Sequence, residues 1–159
     1  RTHHRHHATR RLGQRARTGF TLLELAMVIV MIAVLGAIAA PRFANASARQ
    51  RLEAAARRVD ADLRYAQTRA RSRSDDCTVS FAIDNDLSVI DRDGTNVATT
   101  HFAAAPYEVE IASSLDNAGT ELVFNGFGHP DNGGAITLTE GGHQIVLDID
   151  PATGGVTRR

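Results

Sequence analysis

Lysine and tryptophan are absent from this 159-residue chain, cysteine occurs once, and aromatic residues make up only 5% of it. A lone cysteine, Cys77, excludes an internal disulfide, and no four Cys/His ligands stand at zinc-finger spacing. So few rings leave little material for an aromatic-lined pocket, and any core must rest on Ala, Val, Ile and Leu. Acids are scarce in the first part and bases in the second: residues 1–73 carry 15 Arg against 4 acids, a surplus of +11, and residues 74–159 carry 3 Arg against 14 acids, a deficit of −11. The formal charge of zero therefore hides a two-part molecule.

Charge is nearly missing from Phe20 to Ala40, FTLLELAMVIVMIAVLGAIAA, where Glu24 is the single ionisable residue. As a helix this run measures ~31 Å, close to the ~30 Å of a bilayer's hydrocarbon layer. A helix apolar on every face needs lipid or a large protein around it, and this chain is small. The preceding residues 1–19 hold six Arg, four His and no acid, so the positive-inside bias predicts a cytoplasmic N-terminus and a C-terminal part across the membrane. The run is too long for a secretory signal peptide, and Pro41 and Arg42 follow it where a small-residue cleavage site would stand. The His3-His-Arg-His-His cluster reads as a solvated part of a polar leader rather than a metal site.

The junction Thr18-Gly19-Phe20-Thr21-Leu22-Leu23-Glu24-Leu25 resembles the processing site of type IV prepilins and type II secretion pseudoprepilins: a basic leader ending in Gly, then Phe, then Glu as fifth residue of an apolar helix. Pro41 falls where such pilins often have the proline that kinks the helix on leaving the membrane. The resemblance implies that a prepilin peptidase cuts between Gly19 and Phe20 and methylates the new amine of Phe20. A carboxylate in hydrocarbon costs about 2.5–3.5 kcal/mol even on gentle insertion scales, so Glu24 asks for a partner in an assembled bundle or for a place near the headgroups. The resemblance supplies the partner, the N-terminal amine of a neighbouring subunit.

From Arg42 to Arg73 there is neither Gly nor Pro, and Ala and Arg abound, so the helix is predicted to continue. Residues 20–73 would then form a rod of ~81 Å. Leu52, Ala56, Val59, Leu63, Ala66 and Ala70 fall on one face, and the other faces carry Arg49, Arg51, Arg57, Arg58, Arg64, Arg69 and Arg71. The stripe can pair with another helix or with a sheet of the same chain; its small, Ala-rich surface favours the sheet. Glu53 with Arg57 and Asp60 with Arg64 are the expected i,i+4 pairs of a solvated face. Beyond Arg73, Thr78 to Ile83, Leu87 to Asp91, Tyr107 to Ala112, Glu121 to Phe124, Ala135 to Thr139 and Gln144 to Ile149 read as strands of an antiparallel sheet between Asn-Asp, Asp-Gly, Asn-Gly and Gly-Gly turns. The expected organisation is a cleaved leader at 1–19, a transmembrane helix at 20–41, an amphipathic extension at 42–73 and a β-rich domain at 74–159, in the α+β, pilin-like class.

Within that class, Asp62-Leu-Arg-Tyr-Ala-Gln-Thr-Arg-Ala-Arg-Ser-Arg running into Thr78-Val-Ser-Phe, then Phe124-Asn-Gly-Phe-Gly, Ala135-Ile-Thr-Leu, Ile145-Val-Leu-Asp-Ile and Gly154-Gly-Val, resembles the GspH/FimT-type minor pseudopilins. The ending Gly-Gly-Val-Thr-Arg-Arg departs from the family's frequent Gly-Arg. The resemblance implies a structural subunit in the inner membrane, with the β domain outside the cytoplasm. Its partners would be prepilin peptidase, other pilin or pseudopilin subunits and an inner-membrane assembly platform, in a type II secretion pseudopilus or, alternatively, in a type IV pilus with a DNA-uptake role. DNA is not expected as a partner, because Arg158 and Arg159 are the only basic residues near the C-terminus of a domain of charge −11. A plain single-pass protein with a sensor domain would make the junction a coincidence.

No catalytic, cofactor or metal site is expected. Asp84, Asp86, Asp91 and Asp93 with Asn85 and Asn96 fail the EF-hand spacing, and Asp93-Gly94 reads as a hairpin turn. His101, His129 and His143 have no nucleophile in a Gly-x-Ser-x-Gly setting. Cys77, with Asp75 and Asp76 before it to oppose a thiolate, reads as a small buried apolar residue.

Overall fold

A computed structural model describes residues 19–159 except Ile83 and Ala118, and for Pro41 the backbone alone. Residues 1–18 of the leader expected over 1–19, its histidine cluster, and Ile83 as the last residue of the first strand lie outside the described residues. One helix, α1 (Leu22–Arg73), precedes eight strands, and the chain divides between Ala39 and Ala40 into two compact units.

In the first unit Thr21 starts the helix. Its Oγ1 accepts the Glu24 amide at 3.2 Å and its carbonyl accepts the Leu25 amide at 3.1 Å, so Thr21 caps a helix whose first turn carries an acid. Thr-x-x-Glu is the spacing of a capping box, and a carboxylate there faces the positive end of the helix dipole. Every described side chain from Phe20 to Ala40 is exposed, and an 18-residue window of mean hydropathy 2.7 has nothing packed over it.

In the second unit the rest of α1 lies on two antiparallel sheets. The strands are β1 (Cys77–Phe81), β2 (Asp86–Asp91), β3 (Asn96–His101), β4 (Glu110–Leu115), β5 (Glu121–Phe124), β6 (Gly134–Glu140), β7 (His143–Ile149) and β8 (Val156–Arg158). They are ordered β3-β2-β1-β5 and β4-β6-β7-β8. The helical stripe is buried throughout: Leu52, Ala56, Val59, Leu63, Ala66 and Ala70, joined by Ala55, share one core with Val79, Phe81, Leu87, Val89, Phe102, Leu122, Phe124, Ile136 and Leu138. The Ala-rich face meets sheet, as its small side chains favour. Burying a Leu or Val here is worth roughly 1.5–3 kcal/mol, so the stripe binds helix to sheets firmly.

Two strands, β3 and β8, appear in addition to the expected six, and the expected Tyr107 to Ala112 strand begins later. Glu108 takes a positive φ of 51°, and the Tyr107 and Glu108 amides both donate to the Ala104 carbonyl at 3.1 Å, so a turn consumes its first residues. The Tyr107 ring instead packs on Phe102, with centroids 5.3 Å apart. Asp93-Gly94 does form the β2–β3 turn: Gly94 has φ 82° and the Asp91 amide donates to the Thr95 carbonyl at 2.9 Å.

Candidate functional site: the N-terminal junction and the fate of the arginines

Gly19 and Phe20 precede the helix, and Phe20 is 77% exposed. A side chain at Gly19 would meet nothing within 4 Å. Glu24 stands in the first helical turn, on a rod whose Leu22, Leu23, Leu25, Met27, Ile29 and Met31 all lie open. Pro41 lies inside α1. The segment is long and apolar enough to cross a membrane and carries one charge among apolar side chains. Sequence reasoning missed the capping role of Thr21, although the Thr-x-x-Glu spacing is its signal.

Three arginines of α1, Arg51, Arg69 and Arg73, reach acids of the β domain, while Arg58 and Arg64 pair along the helix. Asp91, at the end of β2, is buried and accepts Arg69 Nε at 2.6 Å and Nη2 at 2.8 Å, and Arg73 Nη1 at 2.8 Å. The bonded Arg69 guanidinium, reinforced by the charges of Arg69 and Arg73, holds the Asp91 carboxyl below the usual carboxylate range. The buried Asp62 carboxylate accepts Arg58 Nε at 3.1 Å and the Thr100 hydroxyl of β3 at 2.7 Å. Arg51 bridges Glu108, at 3.1 Å, and Glu140. Asp60 pairs with Arg64 at 2.9 Å as expected, but Glu53 does not choose Arg57. Its carboxylate accepts both terminal nitrogens of Arg158, because β8 runs beside α1, and Arg57 adds only attraction through space. Arg159 reaches Asp148 at 3.4 Å. Thus both C-terminal arginines already face carboxylates.

The calcium-like cluster is dispersed in the same way. Asp91 faces two arginines, Asp86 pairs with His101 at 2.9 Å, and Asp93 accepts the Thr95 amide at 2.9 Å. Among the described residues no three His, Cys, Asp or Glu groups converge as a metal cage. The cavities are open grooves, such as one of about 230 Å³ between α1 and β7–β8 lined by Arg49, Leu52, Glu53, His143, Gln144, Ile145 and Arg158, with no positioned nucleophile. Cys77 is buried, and burial together with Asp91 pushes its thiol up.

The Asn125–His129 loop, part of the Phe124-Asn-Gly-Phe-Gly motif, forms a further surface. Asn125 Oδ1 accepts the Phe127 and His129 amides, both at 3.0 Å. From α1, Gln67 Nε2 donates to the Gly128 carbonyl at 2.8 Å and Arg71 Nε to the Phe127 carbonyl at 3.0 Å. The ring of Phe127 remains 81% exposed.

The family model described as type II transport protein GspH matches residues 55–155, which span most of the sheet-bound part of α1 and every strand but β8. No curated protein matched the chain. Two crystal structures of the type IV minor pilin FimU from Pseudomonas aeruginosa strain PAO1 are similar in fold. One, in space group P21, gives a TM-score of 0.55 at 21% identity over 70% of this chain and 90% of that one. The other, in space group P65, gives 0.52 at 19% identity over 68% and 92%. The long helix packed on antiparallel sheet is thus a pilin fold, and since the family match extends over more than half of its length, this chain belongs to the GspH family.

Proposed function

We infer that this pilin-type subunit is a minor pseudopilin of a type II secretion pseudopilus. The observation that carries the reading is the union, in one chain, of a GspH-type domain and an unpacked apolar helix whose first turn presents Glu24 just after Gly19-Phe20. The helix anchors the protein in the inner membrane with its N-terminus in the cytoplasm, as the leader's arginines favour, and the β domain stands outside. Prepilin peptidase removes the leader after Gly19 and methylates the Phe20 amine. The assembly platform then lifts the subunit into a filament in which the apolar helices pack together. Glu24, costly to hold in an apolar surrounding, meets the Phe20 amine of a neighbour there. Pro41, with no N–H for the Ala37 carbonyl, is where the helix bends on leaving the membrane.

This is a task of surfaces and not of a pocket, which suits open grooves and a core spent on joining helix to sheet. The second reading, a minor pilin of a type IV pilus, is favoured by the fold shared with FimU. Its DNA-uptake form is disfavoured by the pairing of Arg158 with Glu53 and of Arg159 with Asp148. Deleting this chain and measuring both protein secretion and surface piliation decides between them. Lost secretion with intact pili supports the pseudopilus; lost pili with intact secretion supports the pilus.

A further inference from the structure

The second unit begins at Ala40, where the apolar run ends, and its helix meets the sheets only at Ala48, the first buried residue of α1. A side chain at Gly141 in the β6–β7 turn would stand 3.2 Å from the Ala48 Cβ, so this turn sits against the helix there. Before Ala48 come Arg42 and Phe43, and Arg49 follows it. All three are exposed, the Phe43 ring to 78%. Arg42 and Arg49 are seven residues apart, about two turns, and so share one face of the helix.

This end of the unit has no acid to spare for them. From Leu25 to Leu52 the sequence contains none. Glu53, the acid one turn on from Arg49, accepts both terminal nitrogens of Arg158. Arg51 takes the two acids that the neighbouring turns bring here, Glu140 through Nε at 2.8 Å and Glu108 through Nη1 at 3.1 Å. Among the described residues Arg42 and Arg49 therefore have no carboxylate partner. With residues 20–40 in hydrocarbon, Arg49 stands about 13 Å past Ala40 along the helix. The headgroup layer covers roughly 5–7 Å of that distance, and helical side chains lean toward the N-terminus, which for Arg49 is back toward the apolar run. The long arginine stem closes the remainder, while Arg42 and the Phe43 ring stand at headgroup level, where such side chains collect.

We propose that Arg42 and Arg49 bind the phosphates of anionic phospholipids in the leaflet from which α1 emerges, and so seat the β6–β7 end of the β domain on the bilayer until the subunit is drawn into a filament. The contact rests on the membrane span of the reading above and adds to it a lipid site that is occupied before assembly and given up by it. A guanidinium grips a phosphate through two parallel N–H donors, and each arginine near an anionic surface strengthens the attraction severalfold. The chain itself fixes the occupant, because residues 20–40 hold a bilayer within reach of these side chains. An acidic protein segment is the rival, and it has no such tether.

The test uses the full chain in nanodiscs of phosphatidylcholine with a minority of phosphatidylglycerol, and exploits the absence of tryptophan. Native mass spectrometry reads the lipids that stay bound. Phosphatidylglycerol is expected to be enriched over its share. Arg42→Gln together with Arg49→Gln should cut that enrichment about tenfold, and Arg42→Lys together with Arg49→Lys should keep most of it, all with an unchanged melting temperature. Gln144→Trp, in the groove that Arg49 lines, is expected to be quenched by a nitroxide on the lipid headgroup. Phe127→Trp, held at the level of Arg71 about 33 Å further along α1, is expected to escape it. Equal enrichment in the Gln variant, an unquenched Gln144→Trp, or loss of the lipid to millimolar inorganic phosphate, which would mark a site for any small anion, would overturn the contact. If the span itself is wrong, Val34→Trp escapes a nitroxide on the acyl chain, and the contact falls with it. If the contact alone is wrong, Val34→Trp is quenched and Gln144→Trp is not.

Discussion

Glu53 on α1 and Arg158 on β8, 105 residues apart, form a two-pronged ion pair that ties the C-terminal strand to the helix. The arginine that would be first to meet a phosphate is thereby engaged within its own chain, and its bond holds the Glu53 carboxyl below the ordinary range.

Residues 42–159 alone hold 12 Arg against 17 acids, net −5, and are expected to bind duplex DNA at or beyond the weak end of the ~10⁻⁴–10⁻⁶ M non-specific range at physiological salt. Changing Arg158 and Arg159 together to Ala should leave that weak binding nearly unaltered in a gel-shift series across salt concentrations. Micromolar binding abolished by the double change would make DNA capture the primary function.

Leu63 is 1% exposed in the joint between helix and sheets. Leu63→Asp in the 42–159 piece places an unpartnered charge there, at a cost of several kcal/mol against a total stability of roughly 5–10. Loss of the folded circular dichroism spectrum and of the melting transition is expected. An unchanged melt would mean that the stripe faces another subunit.

The stripe itself was legible because a spacing of 4, 3, 4, 3, 4 has one physical solution, a helix with one buried face. The reading of Gly19-Phe20 and Glu24 rests on a local sequence pattern, which the fold neither adds to nor alters. The division into two sheets was not, since pairing depends on which strands meet in space and not on alternation within any one of them. β3 escaped because Asn96–His101 shows little alternation, and its one buried residue, Thr100, is polar and bonded to Asp62 and Arg58. Glu53 was assigned to Arg57 because sequence spacing knows only neighbours on one helix, and the arrival of β8 beside α1 supplied a better partner. Phe127 was visible in an Asn-Gly turn, but nothing in the sequence tells an exposed ring from a buried one.

Asp91 gives the fold an acid-sensitive lock. Its carboxyl is depressed when folded, so the stability it contributes is fully present above its unfolded pKa of about 3.9 and is lost as pH falls through its lower folded value. Urea midpoints measured from neutral pH downward should fall steeply below about pH 4. Asp91→Asn should be less stable than the parent at pH 7 and lose less on acidification, keeping the dependence contributed by Glu53, Asp75, Asp93 and Asp150, which are also depressed. Parallel curves for the two proteins would show that Asp91 does not titrate in this way.

Glu24 stands at the capping-box position of a helix capped by Thr21 and also presents a charge, and two substitutions separate the position from the charge. Glu24→Gln keeps a capping-box side chain without the charge, and Glu24→Ala removes both. If the charge meets a neighbour's amine, both variants insert and are cleaved normally but enter the sheared filament fraction poorly. Normal entry of Glu24→Gln with loss only in Glu24→Ala would assign the residue to helix capping.

The most direct measurement is intact mass with N-terminal fragmentation of the protein extracted from membranes of cells with active prepilin peptidase. The expected species begins at Phe20 with one added methyl group on the Phe20 amine, and in cells lacking the peptidase the leader before Phe20 stays attached. An uncut leader in active cells, or a mature terminus at any other residue, would contradict processing at Gly19-Phe20 and with it the place of this chain in a filament.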